Sequence, residues 1–180
     1  MKQKRLNTAM NAKEKFNELI TPNINRLHKM LCAYMGSFES AQDVLQESLI
    51  KAYGHIHSLQ ETEKAYAWLY TIARNEAKRY FFKHPKESEM TENVALKADE
   101  SFGRAEQKQD IAKLLLGLER EDREIIILKD MFDYSYAEIA DMLELSVSNV
   151  GVRLSRARDR FRKIMNESGY WEGERDSEMR

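Results

Sequence analysis

Residues 135–161 read SYAEIADMLELSVSNVGVRLSRARDRF, and the fold class turns on how that stretch is parsed. Ser135 followed by Glu138 makes a capping box, a hydroxyl for the third helical amide and a carboxylate that reaches back to the cap. Ile139, Ala140 and Leu143 give the helix one apolar face, Glu144, Leu145 and Ser146 interrupt it, and a second helix follows. In that second helix Val150, Leu154, Ala157 and Phe161 share one side. Ser148, Asn149, Val152, Ser155, Arg156, Asp159 and Lys163 therefore project away from the core. An ordinary solvated basic helix would show the same arc, but the turn before it makes helix-turn-helix spacing, which suits a helix for the major groove.

Upstream, Ile111, Leu114, Leu115, Leu118, Ile125, Ile126, Leu128 and Met131 continue the apolar periodicity, so a helical domain is predicted over 110–165. Residues 86–109 lack such a pattern. The stretch 86–110 holds seven acidic and four basic residues, against one acidic and six basic over 146–163, and it reads as a flexible linker. Before it, three helices are predicted within a first domain over 1–85. The first runs from about Phe16 to Met35 and is broken near Pro22. A second starts near Ser40, with Asp43 completing the cap, and turns Leu45, Leu49, Ala52, Tyr53 and Ile56 inward, leaving Asp43, Gln46, Glu47 and Ile50 on the other face. The third spans about 65–83, buries Trp68, Leu69, Ile72 and Ala73, and ends before His84-Pro85. Residues 166–180 are polar apart from Tyr170 and Trp171 and read as a disordered tail. The fold class is all-α: two small helical domains on a flexible linker, the second with a helix-turn-helix.

Composition agrees. Among 180 residues 33% are charged, 42% hydrophobic, and there are 7 Gly and 2 Pro, a balance of few tight turns and much helix. No apolar run is long enough to cross a bilayer and the charged N-terminus lacks the apolar core of a secretory signal, so a cytoplasmic location is expected. A net charge of −1 hides the segregation just described, and so does not exclude a nucleic-acid partner. Cys32 is the single cysteine, which rules out an intramolecular disulfide. His28 and Cys32 are spaced as half a metal site with no complementary pair, so no metal and no cofactor is expected. No phosphate loop, nucleophile triad or carboxylate pair supports an enzyme.

A second candidate surface lies on the third helix, where Thr71, Arg74, Asn75, Lys78 and Phe82 combine cations, an amide and a ring, as a surface for single-stranded DNA would. Three segments then resemble one family in order. Ser40-Ala-Gln-Asp-Val-Leu-Gln-Glu-Ser-Leu-Ile-Lys-Ala-Tyr53 is similar to the helix by which sigma factors of the extracytoplasmic-function (ECF) type grip the polymerase clamp. Ala67-Trp-Leu-Tyr-Thr-Ile-Ala-Arg-Asn-Glu-Ala-Lys-Arg-Tyr80 resembles their −10 recognition helix, and the stretch from Arg123 to Arg158 resembles their −35 reader. The resemblance implies a sigma factor that binds core RNA polymerase and promoter DNA, has an anti-sigma factor as partner, and is no enzyme. Carried over by position, Asp43, Gln46 and Glu47 would bind polymerase. Arg74, Asn75, Lys78 and Arg79 would approach the −10 element, and the loop over 58–66, bounded by Ser58 and Tyr66, would capture a flipped base. Ser148, Asn149, Val152, Arg153, Ser155 and Arg156 would lie at the −35 element.

The chain departs from the family pattern at the turn, where Glu144 replaces a small residue, and in the recognition helix, where Asn149-Val150-Gly151 lacks the usual cation. The flipped-base loop, Gln60-Glu-Thr-Glu-Lys64, is acidic. Two other readings compete: a polymerase-independent helix-turn-helix regulator on an operator, and a sigma-like module that binds only proteins.

Overall fold

Asn11 opens the first helix, α1 (Ala12–Leu19), through a capping box: its side chain accepts from the Glu14 amide at 2.9 Å and the Glu14 carboxylate accepts from the Asn11 amide at 3.1 Å. The computed structural model describes residues 11–85 and 105–169. At Pro22 the chain makes a 3-10 turn, Thr21–Asn23, because proline has no amide to donate, and α2 (Ile24–Met35) follows as a separate helix. Gly36, at φ 73°, ends α2 in the left-handed region that glycine enters without steric cost.

The next cap lies three residues before the predicted one. Ser37, not Ser40, caps α3 (Phe38–His55), accepting from the Ser40 amide at 3.3 Å, since the glycine turn delivers an extended residue there. The Ser40 hydroxyl instead lies 2.9 Å from that of Tyr80 on α4 (Ala65–Lys83), which ends where the sequence places the end.

α3 packs along α4. The buried face of α3 is Ala41, Val44, Leu45, Ser48 and Ala52, and that of α4 includes Ala65, Leu69, Ala73 and Ala77. So many small residues allow the two backbones to approach closely, and this close approach sets the rotation of α4. Trp68 and Ile72, predicted as core, are half-buried beside the contact, while Tyr70 and Phe81 are buried. On α3, likewise, Leu49 is half-buried and Tyr53 is exposed, its ring edge-on to Phe16 at 5.4 Å.

The chain divides into two compact units, with the division between Thr91 and Glu92. In the second, α5 (Ala105–Leu116) begins within the span predicted as linker; the rest of that span, 86–104, lies outside the described residues. The buried Arg123 guanidinium on α6 (Arg120–Ile126) donates to the carbonyls of Leu115, Leu116 and Leu118 at 2.9, 2.8 and 3.0 Å, tying the end of α5 and the turn after it to α6. A π-helical turn, Ile127–Met131, carries α6 towards α7 (Tyr136–Leu143), and the Phe132 amide closes it on the Ile127 carbonyl at 3.2 Å. The Ser135–Glu138 capping box is present at both bonds. α8 (Val147–Glu167), capped by Ser146, completes the unit and runs two residues into the predicted tail. Residues 170–180, the rest of that tail, lie outside the described residues. All elements described are helical, with no strand among the described residues.

Two backbone positions carry opposite mismatches. Glu144, at φ 57° and ψ 45°, occupies the left-handed site that ends α7, where the Leu145 amide bonds the Ala140 carbonyl at 2.9 Å. Gly151 sits inside α8, where a Cβ would meet nothing nearer than the Tyr136 ring at 3.6 Å, an ordinary contact. Glu144→Gly and Gly151→Ala should therefore each stabilise the second unit by about 1 kcal/mol in chemical denaturation. Loss of stability in either variant would contradict the backbone assigned here.

Candidate nucleic-acid interface

The front of α8 is built from its cap outward. Ser146 accepts from the Asn149 amide at 3.2 Å and its hydroxyl lies 3.1 Å from that of Ser148, so the first turn is held before any ligand arrives. Val150, Leu154 and Ala157 are buried; Ser148, Asn149, Val152, Ser155 and Arg156 are exposed, as their spacing predicts, and so is Arg153, which only the resemblance names. Phe161 is half-buried.

The cations of α8 are not equivalent, and spacing alone could not tell them apart. Arg158 makes a two-pronged contact with Asp130 of the π-helical turn, its Nε 3.1 Å from Oδ2, which raises the pKa of the guanidinium further. Arg160 pairs with the buried Asp122 of α6. Arg162 lies 2.8 Å from Asp159, and Lys163 lies 3.8 Å from Glu167. Arg153 and Arg156 have no carboxylate partner among the described residues. The two cations left over are thus two that the sequence assigns to DNA.

On α4, Asn75, Lys78 and Arg79 are exposed, Arg74 is half-buried, and Phe82 is 88% exposed near the end of the helix. Arg79 lies 3.3 Å from Glu76, a buried carboxylate that also takes Lys51 of α3 at 2.5 Å. Ser58 is exposed and donates to the His55 carbonyl at 2.8 Å. Tyr66, half-buried, has the Arg26 guanidinium 4.9 Å from its ring centroid. Between them Leu59 is buried, and its carbonyl accepts from the Lys15 ammonium at 2.5 Å. The sequence reading missed Lys15, Lys51 and Glu76, because a charged residue at helical spacing reads as solvated until a distant segment covers it. In the acidic part of this loop Lys64 and Glu61 pair at 3.2 Å.

Asp43, Gln46 and Glu47 stand together on the exposed face of α3, with Ile50, 67% exposed, beside them. Neither carboxylate has a cationic partner among the described residues. A face that joins unpaired carboxylates to an exposed branched side chain is suited to a basic, partly apolar protein surface.

Burial pushes the Cys32 thiol up to about 11, which leaves it an unreactive, largely neutral group near pH 7. His28 turns its ring edge-on to Phe38 at 5.1 Å, so the spacing that resembles half a metal site serves packing. Among the described residues no three of His, Cys, Asp and Glu could hold a metal ion, and no helix is long and apolar enough to cross a membrane.

Comparison with known proteins gives a consistent set of similarities. The family model for sigma-70 region 2 matches residues 19–86, and that for sigma-70 region 4 matches residues 108–161. The chain is 31% identical over 163 residues to the ECF RNA polymerase sigma-E factor of Haemophilus influenzae, covering 82% of this chain and 85% of that one. It is 28% identical over 155 residues to the ECF RNA polymerase sigma factor SigM of Bacillus subtilis, covering 83% and 94%. Among solved structures, the sigma factor RpoE of Bartonella quintana, crystallised with the anti-sigma factor NepR, matches with a TM-score of 0.71 at 26% identity, over 84% of this chain and 96% of that one.

If Arg158 serves to hold α8 in place, exchanging it with its partner should preserve the fold better than removing either group. Asp130→Arg and Arg158→Asp should each destabilise the unit, and the double exchange should recover up to about 1 kcal/mol, as expected of a partly exposed pair. Strict additivity in a double-mutant cycle would mean that the pair does not couple.

Proposed function

This chain belongs to the sigma-70 family, in its ECF class, and directs promoter-specific transcription initiation with RNA polymerase; from that membership we propose how its two units divide the work. The first unit binds core polymerase through Asp43, Gln46 and Glu47 of α3. It meets the −10 element with Arg74, Asn75, Lys78 and Arg79 of α4 and with the loop bounded by Ser58 and Tyr66. The second unit reads the duplex −35 element with Ser148, Asn149, Val152, Arg153, Ser155 and Arg156. The observation that carries the assignment is the pairing state of the charges: Asp43, Glu47, Arg153 and Arg156 are exposed without an ion partner among the described residues, whereas Arg158 and Arg160 are engaged inside the unit.

Physical chemistry explains why two weak readers suffice. Among the described residues, the faces assigned to DNA carry few cations without an ion partner, so neither alone gains much from counterion release on DNA. Joining them through one chain, and placing both on polymerase, turns the second contact into an intramolecular one at high effective concentration. A net charge of −1 is then no obstacle. The match of residues 19–86 to region 2 disfavours a polymerase-independent regulator, and sigma factors are regulators of transcription, not enzymes. We place the protein in the cytoplasm, where polymerase acts, and infer an anti-sigma factor as a further partner, in support of which the Bartonella quintana relative was crystallised with one.

Reversing both charges, Asp43→Lys with Glu47→Lys, should weaken binding to core polymerase by roughly tenfold or more, while leaving the circular dichroism spectrum unchanged, because like charges across an interface are strongly disfavoured. Binding as tight as the parent's would remove this face from the polymerase interface. For the second unit, transcription from a promoter library varied at every −35 base should be compared between parent and Arg156→Ala. A guanine contact should cost roughly 1–3 kcal/mol and flatten preference at one position, whereas a phosphate contact should weaken all sequences evenly. No change on any template would show that Arg156 does not touch DNA.

A further inference from the structure

Val152 stands at the centre of the outward arc of α8, two residues from Val150 and on the opposite side of the helix from the core. It is 48% exposed. Neither packing nor propensity accounts for it there: the core face is supplied by Val150, Leu154 and Ala157, and a β-branched side chain is a poorer helix former than the Arg, Lys or Glu common on exposed helices. Its neighbours one helical turn away are Ser148, Asn149, Ser155 and Arg156, all exposed and all able to hydrogen-bond.

An isopropyl group has no donor or acceptor. It can be recognised only by an apolar surface, and in the major groove the one apolar substituent on any base edge is the C5-methyl group of thymine. Its shortness adds a constraint, because the backbone of α8 must come close for contact, which the first-turn residues allow by being small or medium in size: serine, asparagine, valine and glycine. We propose that Val152 is a specificity-determining residue of the −35 reader, and that it takes the C5-methyl of one thymine. This rests on the reading of the second unit as a −35 reader and adds to it the identity of one base pair and the atom by which it is chosen. The polar neighbours cannot make the same choice, since serine and asparagine accept or donate towards several bases, whereas a methyl contact rejects cytosine and uracil alike at that position.

The test separates the methyl group from everything else. Holoenzyme reconstituted from the full chain and core polymerase is assayed on a promoter that it uses, with each thymine of the −35 element replaced in turn by deoxyuridine, which removes one methyl and keeps every hydrogen bond. For the parent, one replacement should lower promoter binding by about fourfold, the transfer free energy of a methyl-sized group expressed as a ratio. For Val152→Ala the same replacement should have almost no further effect, and the variant on the thymine template should match the parent on the deoxyuridine one. Because Val152 is exposed, the alanine variant should keep its fold, checked by its unfolding midpoint. The proposal is overturned if no deoxyuridine position matters, or if Val152→Ala loses equally on both templates, which would assign the side chain to a protein surface instead. Scrambling the entire −35 element supplies the control: if scrambling has no effect, the −35 reading itself has failed, and if scrambling matters while the deoxyuridine scan is flat, only the role of Val152 has.

Discussion

Burial of Val150, Leu154 and Ala157 fixes the rotation of α8 about its own axis, and the identity of every outward residue follows from that. At about 100° per residue, a slip of one position would carry Val152 from the centre of the exposed arc to its flank. The turn before α8 fixes where the helix begins. Glu144 in the left-handed region costs roughly 1 kcal/mol, but burial of a valine and a leucine contributes about 1.5–3 kcal/mol each, and the Ser146 cap about 1 more. The apolar contacts win. The unit therefore tolerates a poor turn residue to keep the register in which Asn149 and Arg156 face outward.

The first unit obeys a related constraint with different means. Alanines on α3 and α4, with Ser48 satisfied by the Val44 carbonyl at 2.5 Å, bring the helices close and point Asp43, Gln46 and Glu47 away from α4. Lys51 on the buried Glu76 then adds an ionic link between the same two helices, and Arg79 meets the same carboxylate from within α4.

Much of this was legible in the sequence where the signal is local. The capping box at Ser135, the break at Pro22, the stop at His84-Pro85 and the outward arc of α8 depend on residues within about one or two helical turns. The register of α4 was not legible, because Trp68, Tyr70, Ile72, Phe81 and Phe82 make it apolar on most sides, and the choice falls to small residues that fit α3. Nor was the sorting of cations. Arg158 meets Asp130 across 28 residues and Lys15 meets Leu59 across 44, separations at which spacing carries no information. Of the candidate site, the sequence indicated most of the residues that face outward, although Arg74 and Tyr66 are half-buried; only the tertiary structure distinguishes free charges from paired ones.

Two small helical units, each with a few charges unpaired among the described residues, together make polymerase selective for particular promoters. The most direct measurement is transcription in vitro by purified core polymerase with a pool of genomic promoter fragments, in the presence and absence of the full chain, with start sites sequenced. The expected result is a set of starts that depends on the chain and shares two sequence elements at fixed spacing upstream. Starts identical with and without the chain, or chain-dependent starts that share no upstream elements, would contradict it.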